Sequence, residues 1–373
     1  MKKMISILLM IALLIPSCAL ADNVQLQLMD GIAVDAPAPV MIAEAPAQVK
    51  VEYLSFDPEV AKALLMPGDH VMEKHANEDG TFDTTYGVGD GPSEYMLVNM
   101  GYGLGRVFYG SAFYSQRIQN VIRHDDEMVD SLQYYPQDRE VEGFPRADAK
   151  AQVDALLGGL QISDCVIDER IYTFDTLSYE VMLQELRVSD RQAQIPRIYL
   201  EDYDSAHDGY LFTYSPAIGG LPIVGSFNEK LAIFISRQGI EYLETDYPMR
   251  AISEADSVPV MDAMAALQVA KPQIEEKIKR GREYVIGEAL DGQSNPALIE
   301  RIRFGYTFKL KDGASYDDDF DYSTAYPAWE YTYQRAMWKD EGDWRTRSFD
   351  NNAFIGRLIL DGATGDYIVS EQR

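Results

Sequence analysis

Chemistry near neutral pH has few candidate residues in this chain, which holds only four histidines, His70, His75, His124 and His207, among 373 residues. The metalloprotease pattern His-Glu-x-x-His does not occur, and neither does the Gly-x-Ser-x-Gly turn that presents a nucleophilic serine. Gly101-Tyr102-Gly103-Leu104-Gly105 places Arg106 where a dinucleotide fingerprint needs its third glycine, and no phosphate-loop Gly-Lys-Ser/Thr is present. His70 and His75 sit in a polar stretch and read as an exposed loop rather than a metal pair. His124-Asp125-Asp126-Glu127 reads as a solvated turn, because consecutive side chains point in different directions. Asp317-Asp318-Asp319-Phe320-Asp321 offers the hard oxygen ligands that calcium takes, but it lacks the glycine and terminal glutamate of an EF-hand loop. A solvated acidic loop is the reading, with calcium as the alternative. Nothing singles out a carboxylate pair for glycoside hydrolysis. No cofactor, metal or catalytic residue is therefore expected.

The aromatic set Tyr322, Tyr326, Trp329, Tyr331, Tyr333, Trp338 and Trp344 contains every tryptophan of the chain. Trp329, Tyr331 and Tyr333 alternate, so they share one side of a strand. They are the candidate ligand or partner surface, since such side chains bury large areas at low entropic cost. Asp317 and Asp319 lie next to them in sequence and could steer a basic partner. The competing reading buries the three aromatics beneath a helix at 257–270.

Several elements must position these residues. Asp57-Pro58 is a helix start, an N-cap followed by proline at the first helical position. Ala149, Val153, Leu156, Leu157 and Leu160 share one face of a helix over 145–160, and Val260, Met264 and Leu267 do so over 257–270. A charged stretch, Pro272 to Arg282, follows. Ile302, Phe304, Tyr306, Phe308 and Leu310 alternate with charged or polar residues, predicting a strand with one core face and one wet face. Leu231 to Ser236, Ala328 to Tyr333 and Ile355 to Leu360 read as further strands. Helix followed by antiparallel strands occurs twice, over roughly 143–245 and 257–369, which suggests a duplicated module.

The segments Pro327-Ala328-Trp329-Glu330-Tyr331-Thr332-Tyr333 and Leu358-Ile359-Leu360-Asp361-Gly362-Ala363-Thr364-Gly365-Asp366-Tyr367-Ile368 resemble the final hairpin of PepSY-like domains. Those run Pro-Ala-Trp-x-Val-x-Tyr, then a hydrophobic run ending in Asp-Ala-x-Thr-Gly. The stretch Gly209-Tyr210-Leu211-Phe212 to Gly220-Leu221-Pro222-Ile223 is similar to the YycH/YycI accessory proteins of Gram-positive bacteria. The resemblance covers about 143–369. It implies an α+β fold, with helices packed on antiparallel sheets, and a binding or regulatory role outside the membrane. It brings no shared catalytic residues.

The N-terminus points the same way. Lys2 and Lys3 precede an apolar run, Met4 to Ile15, which spans only about 18 Å as a helix against a bilayer core of roughly 30 Å. Pro16 breaks the run and Ala19-Leu20-Ala21 forms a cleavage site, so residues 1–21 read as a secretory signal. Ile15-Pro16-Ser17-Cys18 resembles a lipobox, making Cys18 a candidate for lipidation and a lipoprotein the runner-up to release. Cleavage after Ala21 would leave Cys165 as the one thiol, and Ile162, Val166 and Ile167 beside it suit a small buried hydrophobe. The formal net charge of −27 disfavours nucleic acid and anionic lipid as partners. A protein or peptide with a basic surface suits it better. No later apolar stretch approaches membrane-spanning length.

The expectation from sequence is thus an exported, non-catalytic binding or regulatory protein of the cell envelope, secreted or held at the outer face of the cytoplasmic membrane. The alternative is an envelope enzyme, such as a carboxylate-based polysaccharide hydrolase. After the signal come an Ala/Pro-rich linker or tether at 22–48, whose residues 33–48 read as an extended linker or an irregular edge strand, and a β-rich region at 49–142. Two PepSY/YycI-like modules follow at 143–250 and 251–373.

Overall fold

The computed structural model describes residues 23–29, 32–39, 47–76, 83–88, 94–99, 105–111, 135–175, 205–225, 231–245, 248–285, 297–311, 320–335 and 354–368. The chain opens with strands β1 (Asn23–Met29), β2 (Ile32–Pro37) and β3 (Ala47–Tyr53). Helix α1 (Pro58–Leu65) follows, capped as its sequence predicts: the Asp57 carboxylate accepts from Glu59 N at 2.9 Å, with proline in the first turn. Strands β4 (Met72–Ala76), β5 (Asp83–Val88), β6 (Tyr95–Val98) and β7 (Val107–Gly110) then run antiparallel to one another.

Helix α2 (Arg146–Gly159) buries Ala149, Val153, Leu156 and Leu157, the face that its spacing predicts. After it come β8 (Val166–Phe174), β9 (Gly209–Ile218), β10 (Leu221–Pro222), β11 (Leu231–Ser236) and β12 (Gly239–Thr245). Every residue of β11 is buried, as suits an apolar run in a central strand covered on both faces. The last third holds β13 (Met249–Ser257), helix α3 (Ala263–Val285), β14 (Ala297–Leu310), β15 (Phe320–Arg335), β16 (Phe354–Asp361) and β17 (Tyr367–Ile368).

These strands form two sheets. The first has the order β10-β9-β11-β12-β7-β6-β5-β4, with β8 on β9, and buries α1 and α2 residues in one apolar cluster. The second has the order β1-β2-β14-β15-β16-β17, with β3 joining β13 and β15, and packs α3 onto Ile302, Phe304, Trp329, Tyr331, Leu358 and Leu360. Pairing is antiparallel except between β2 and β14. The architecture is α+β, poor in helix. One plan recurs: α2 precedes the ladder β8-β9-β11-β12, and α3 precedes β14-β15-β16-β17.

Three expectations need correcting. Residues 23–37, read as a linker or tether with an irregular edge strand as the alternative from 33, form the hairpin β1–β2, in which β2 is an inner strand and Leu28, Ile32 and Val34 are core residues. Its prolines lie at or beyond the strand end, where their missing N–H costs no ladder bond. Residues 49–142 are not a region apart, because β3 belongs to the second sheet and β4 to β7 complete the first. Helix α3 starts later than 257 and continues through Pro272 and the charged stretch. Asp262 fixes its start by accepting from Met264 N and Ala265 N, each at 3.0 Å, while Ser257 still belongs to β13. Ala263, Leu267, Ala270 and Ile274 then keep one buried face across the proline.

Candidate functional site

Of the two readings of Trp329, Tyr331 and Tyr333, a partner surface or burial beneath the helix, the structure has the second. Trp329 is 5% exposed, Tyr331 0% and Tyr333 1%. All three point at α3, where Trp329 Nε1 donates to Met261 O at 2.9 Å and Tyr331 Oη to Ala263 O at 2.6 Å. Burial, followed by the nearby Asp262 charge, pushes the Tyr331 hydroxyl well above the usual phenol range. Asp317 and Asp319 lie outside the described residues, as do Cys18, Trp338 and Trp344. Cys165 is 3% exposed, and burial pushes its thiol up to about 11, so it is inert packing.

The turn that carries the PepSY resemblance, residues 361–366, is internally satisfied. Asp361 Oδ1 accepts from Ala363 N at 2.8 Å and Thr364 N at 3.0 Å, while Lys309 Nζ pairs with Oδ2. Burial alone would raise the Asp361 carboxyl. Lys309 and the two amides outweigh it and hold the group below the usual carboxylate range. Gly365, at φ 74°, completes the turn and donates to Asp361 O at 2.8 Å. Met261 N donates to Gly362 O at 2.8 Å, locking the turn onto the entry to α3. Lys309 also lies 4.3 Å from the Tyr326 ring centroid. A shallow groove of about 280 Å³ opens here beside Thr364, Asp366 and Tyr367.

At the β11–β12 hairpin, the Glu241 carboxylate is buried, 3% exposed. It takes His207 Nδ1 at 2.6 Å, Ser111 Oγ at 3.1 Å and the hydroxyl of Ser236. A carboxylate that orients an imidazole is a familiar catalytic pairing. Both serines donate to the carboxylate, so the four residues form one hydrogen-bonded group around Glu241. Sequence reasoning missed it, because His207 and Ser111 lie 34 and 130 residues from Glu241 and share no motif with it.

A third polar group lies where the two sheets meet. Residues 221–225 leave the first sheet and cross the face of β14 opposite α3, with Val224 N donating to Tyr306 O at 2.7 Å. The expected wet face of β14 is thus partly covered, and Thr307 is only 3% exposed. Beside this crossing, Glu330, 2% exposed, accepts from Arg303 Nε at 2.9 Å and Nη2 at 2.8 Å, and from Gly225 N at 3.3 Å. Arg303 Nη1 reaches Asp168 of β8 at 3.4 Å, and Arg357 Nη1 donates to Gly225 O at 2.9 Å. Asp168 sits in a β-bulge with φ 58°, a left-handed conformation that aspartate tolerates better than most residues. Arg301 lies two residues before Arg303 on the same face of β14. Partial desolvation, the Arg303 charge and, more weakly, that of Arg170 on β8 lower the pKa of Arg301, with Glu330 and Asp168 opposing them. Arg301 remains exposed to solvent, so this crowding is partial. No cluster of three or more metal-ligating side chains occurs among the described residues, and no helix there is long and apolar enough to cross a membrane.

No protein-family model matches the chain, and no curated protein matches it. Among solved structures, the chain is similar to an uncharacterised protein from Eubacterium rectale, with a TM-score of 0.55, 12% identity and 94% of each chain covered. At that identity the likeness shows the fold, and it extends over nearly the whole length of both chains.

Proposed function

We propose that the chain is an exported, non-catalytic binding or regulatory protein of the cell envelope, built on two modules that resemble PepSY and YycI-like domains. The observation that carries this reading is the leader: Lys2 and Lys3, the short apolar run to Ile15, and the small residues Ala19 and Ala21 before Asp22. The repeated plan of one helix followed by an antiparallel ladder supports the modular part. The surplus of acidic groups suits a basic protein or peptide partner, and the partner face is one other than the buried Trp329 row.

Export is tested by expressing the full chain in a Gram-positive host and measuring the intact mass of the product in medium, membrane and cytoplasm. The expected product begins at Asp22 and accumulates in the medium. A diacylglyceryl adduct on Cys18 would replace release by anchoring at the outer face of the membrane. Protein retained in the cytoplasm with the leader intact would overturn the reading.

A further inference from the structure

The junction between the sheets concentrates positive charge in a molecule whose formal net charge is −27. Arg303 is fully engaged there, giving Nε and Nη2 to buried Glu330 and Nη1 to Asp168. Both nearby carboxylates are therefore already paired with it. Arg301 shares its strand face, and Arg170 lies two residues from Asp168 on the opposing sheet. Among the described residues, neither Arg170 nor Arg301 has an ion pair or a side-chain hydrogen bond. Across the second sheet, Arg301 is in register with Thr332, and Thr332 with Arg357. Thr332 thus borders Arg301, while the Arg357 guanidinium is turned to Gly225 O.

Guanidinium groups crowded together repel one another, and among the described residues no further carboxylate pairs with Arg170 or Arg301. Their planar donor forks match the paired oxygens of a carboxylate or phosphate, which a lysine cluster would hold less specifically. The bulge at Asp168 brings the first sheet to Arg303 of the second, with Asp168 Oδ2 at 3.4 Å from Nη1. We propose that the junction is an oxyanion site, in which Arg170 and Arg301 contact the carboxylate or phosphate of a small ligand while Arg303, held by Glu330 and Asp168, positions them. The lowered pKa of Arg301 is consistent with this, because an anion would relieve the field that lowers it. The inference rests on the junction alone and does not depend on where the protein acts.

Isothermal calorimetry of the purified protein decides it, with inorganic phosphate and succinate titrated separately at an ionic strength fixed with sodium chloride. The expected result is saturable binding of at least one anion, weakened tenfold or more in Arg301→Gln and in Arg170→Gln. Arg250→Gln, which alters an exposed arginine paired with Glu52, should bind as wild type does. Phosphate binding alone assigns a phosphate-bearing ligand, and succinate binding alone assigns a carboxylate. Both altered arginines are exposed, so the variants should keep the wild-type melting temperature and report on binding rather than folding. If neither anion saturates the wild type, or if both variants bind as tightly as it does, the proposal fails.

Discussion

The Trp329 indole meets Phe304 edge-on, with ring centroids 4.9 Å apart, and its N–H is satisfied by Met261 O at 2.9 Å. Replacing it with alanine removes a large buried ring and leaves that carbonyl without its partner. Trp329→Ala is therefore expected to cost about 3–5 kcal/mol of stability, measured by urea denaturation. A change below about 1 kcal/mol is what a surface residue would give, and it would mean that α3 does not cover this strand. Alternation along residues 329–333 was legible in the sequence and correctly placed the three aromatics on one side. Which side a helix covers was not legible, since exposure depends on a segment some 70 residues away in the chain. The same limit hid the pairing of Arg303 with Asp168, whose separation is 135 residues, and that of His207 with Glu241.

Local chemistry specified some elements well. Asp57-Pro58 starts α1, the Ala149 to Leu157 face marks α2, and strict alternation marks β14, because in each case neighbouring residues alone decide the geometry. Small residues and prolines left β2 legible only as a linker or an irregular edge strand, because its place between β1 and β14 depends on partners elsewhere in the chain. The final hairpin was legible because a turn is a local object, and its behaviour with pH can be predicted. The Asp361 carboxyl is lowered in the folded state, so its contribution to stability is complete above the unfolded value near about 3.9 and is lost as pH falls through the folded value. Asp361→Asn keeps an oxygen for the amides of Ala363 and Thr364 but removes the charge facing Lys309. The stability advantage of wild type over this variant should accordingly be larger at pH 7 than at pH 3, as read from denaturant midpoints. An advantage independent of pH would mean that the turn is held by its neutral hydrogen bonds alone.

At the scale of the whole molecule, the chain is nested: β1 to β3 and β13 to β17 build the second sheet, and the intervening segment builds the first. Relative placement of the sheets then depends on residues 221–225, which cross β14 at Gly305. A Cβ built on Gly305 would lie 2.1 Å from Pro222 O and 2.8 Å from Val224 Cγ1. The first of these is backbone and cannot swing aside, so Gly305→Ala must push the crossing segment off the strand. Overpacking of this kind costs typically about 1–3 kcal/mol, and it should release the Val224 N–H from Tyr306 O, which amide exchange would register as faster exchange at Val224. Gly158→Ala is the matching control: its added Cβ meets nothing within 4 Å, and alanine in a helix is favoured over glycine by about 0.5–1 kcal/mol, so this variant should be more stable than wild type. Because the same crossing sets how closely Arg170 of the first sheet approaches Arg301 of the second, Gly305→Ala should also weaken oxyanion binding, whereas Gly158→Ala should leave it unchanged. Wild-type stability and exchange in Gly305→Ala would show that the segment does not rest on β14, and the two sheets would then have to be held together by their shared apolar cluster, with Ile218 and Ile223 packed among Val49, Met249 and Phe308.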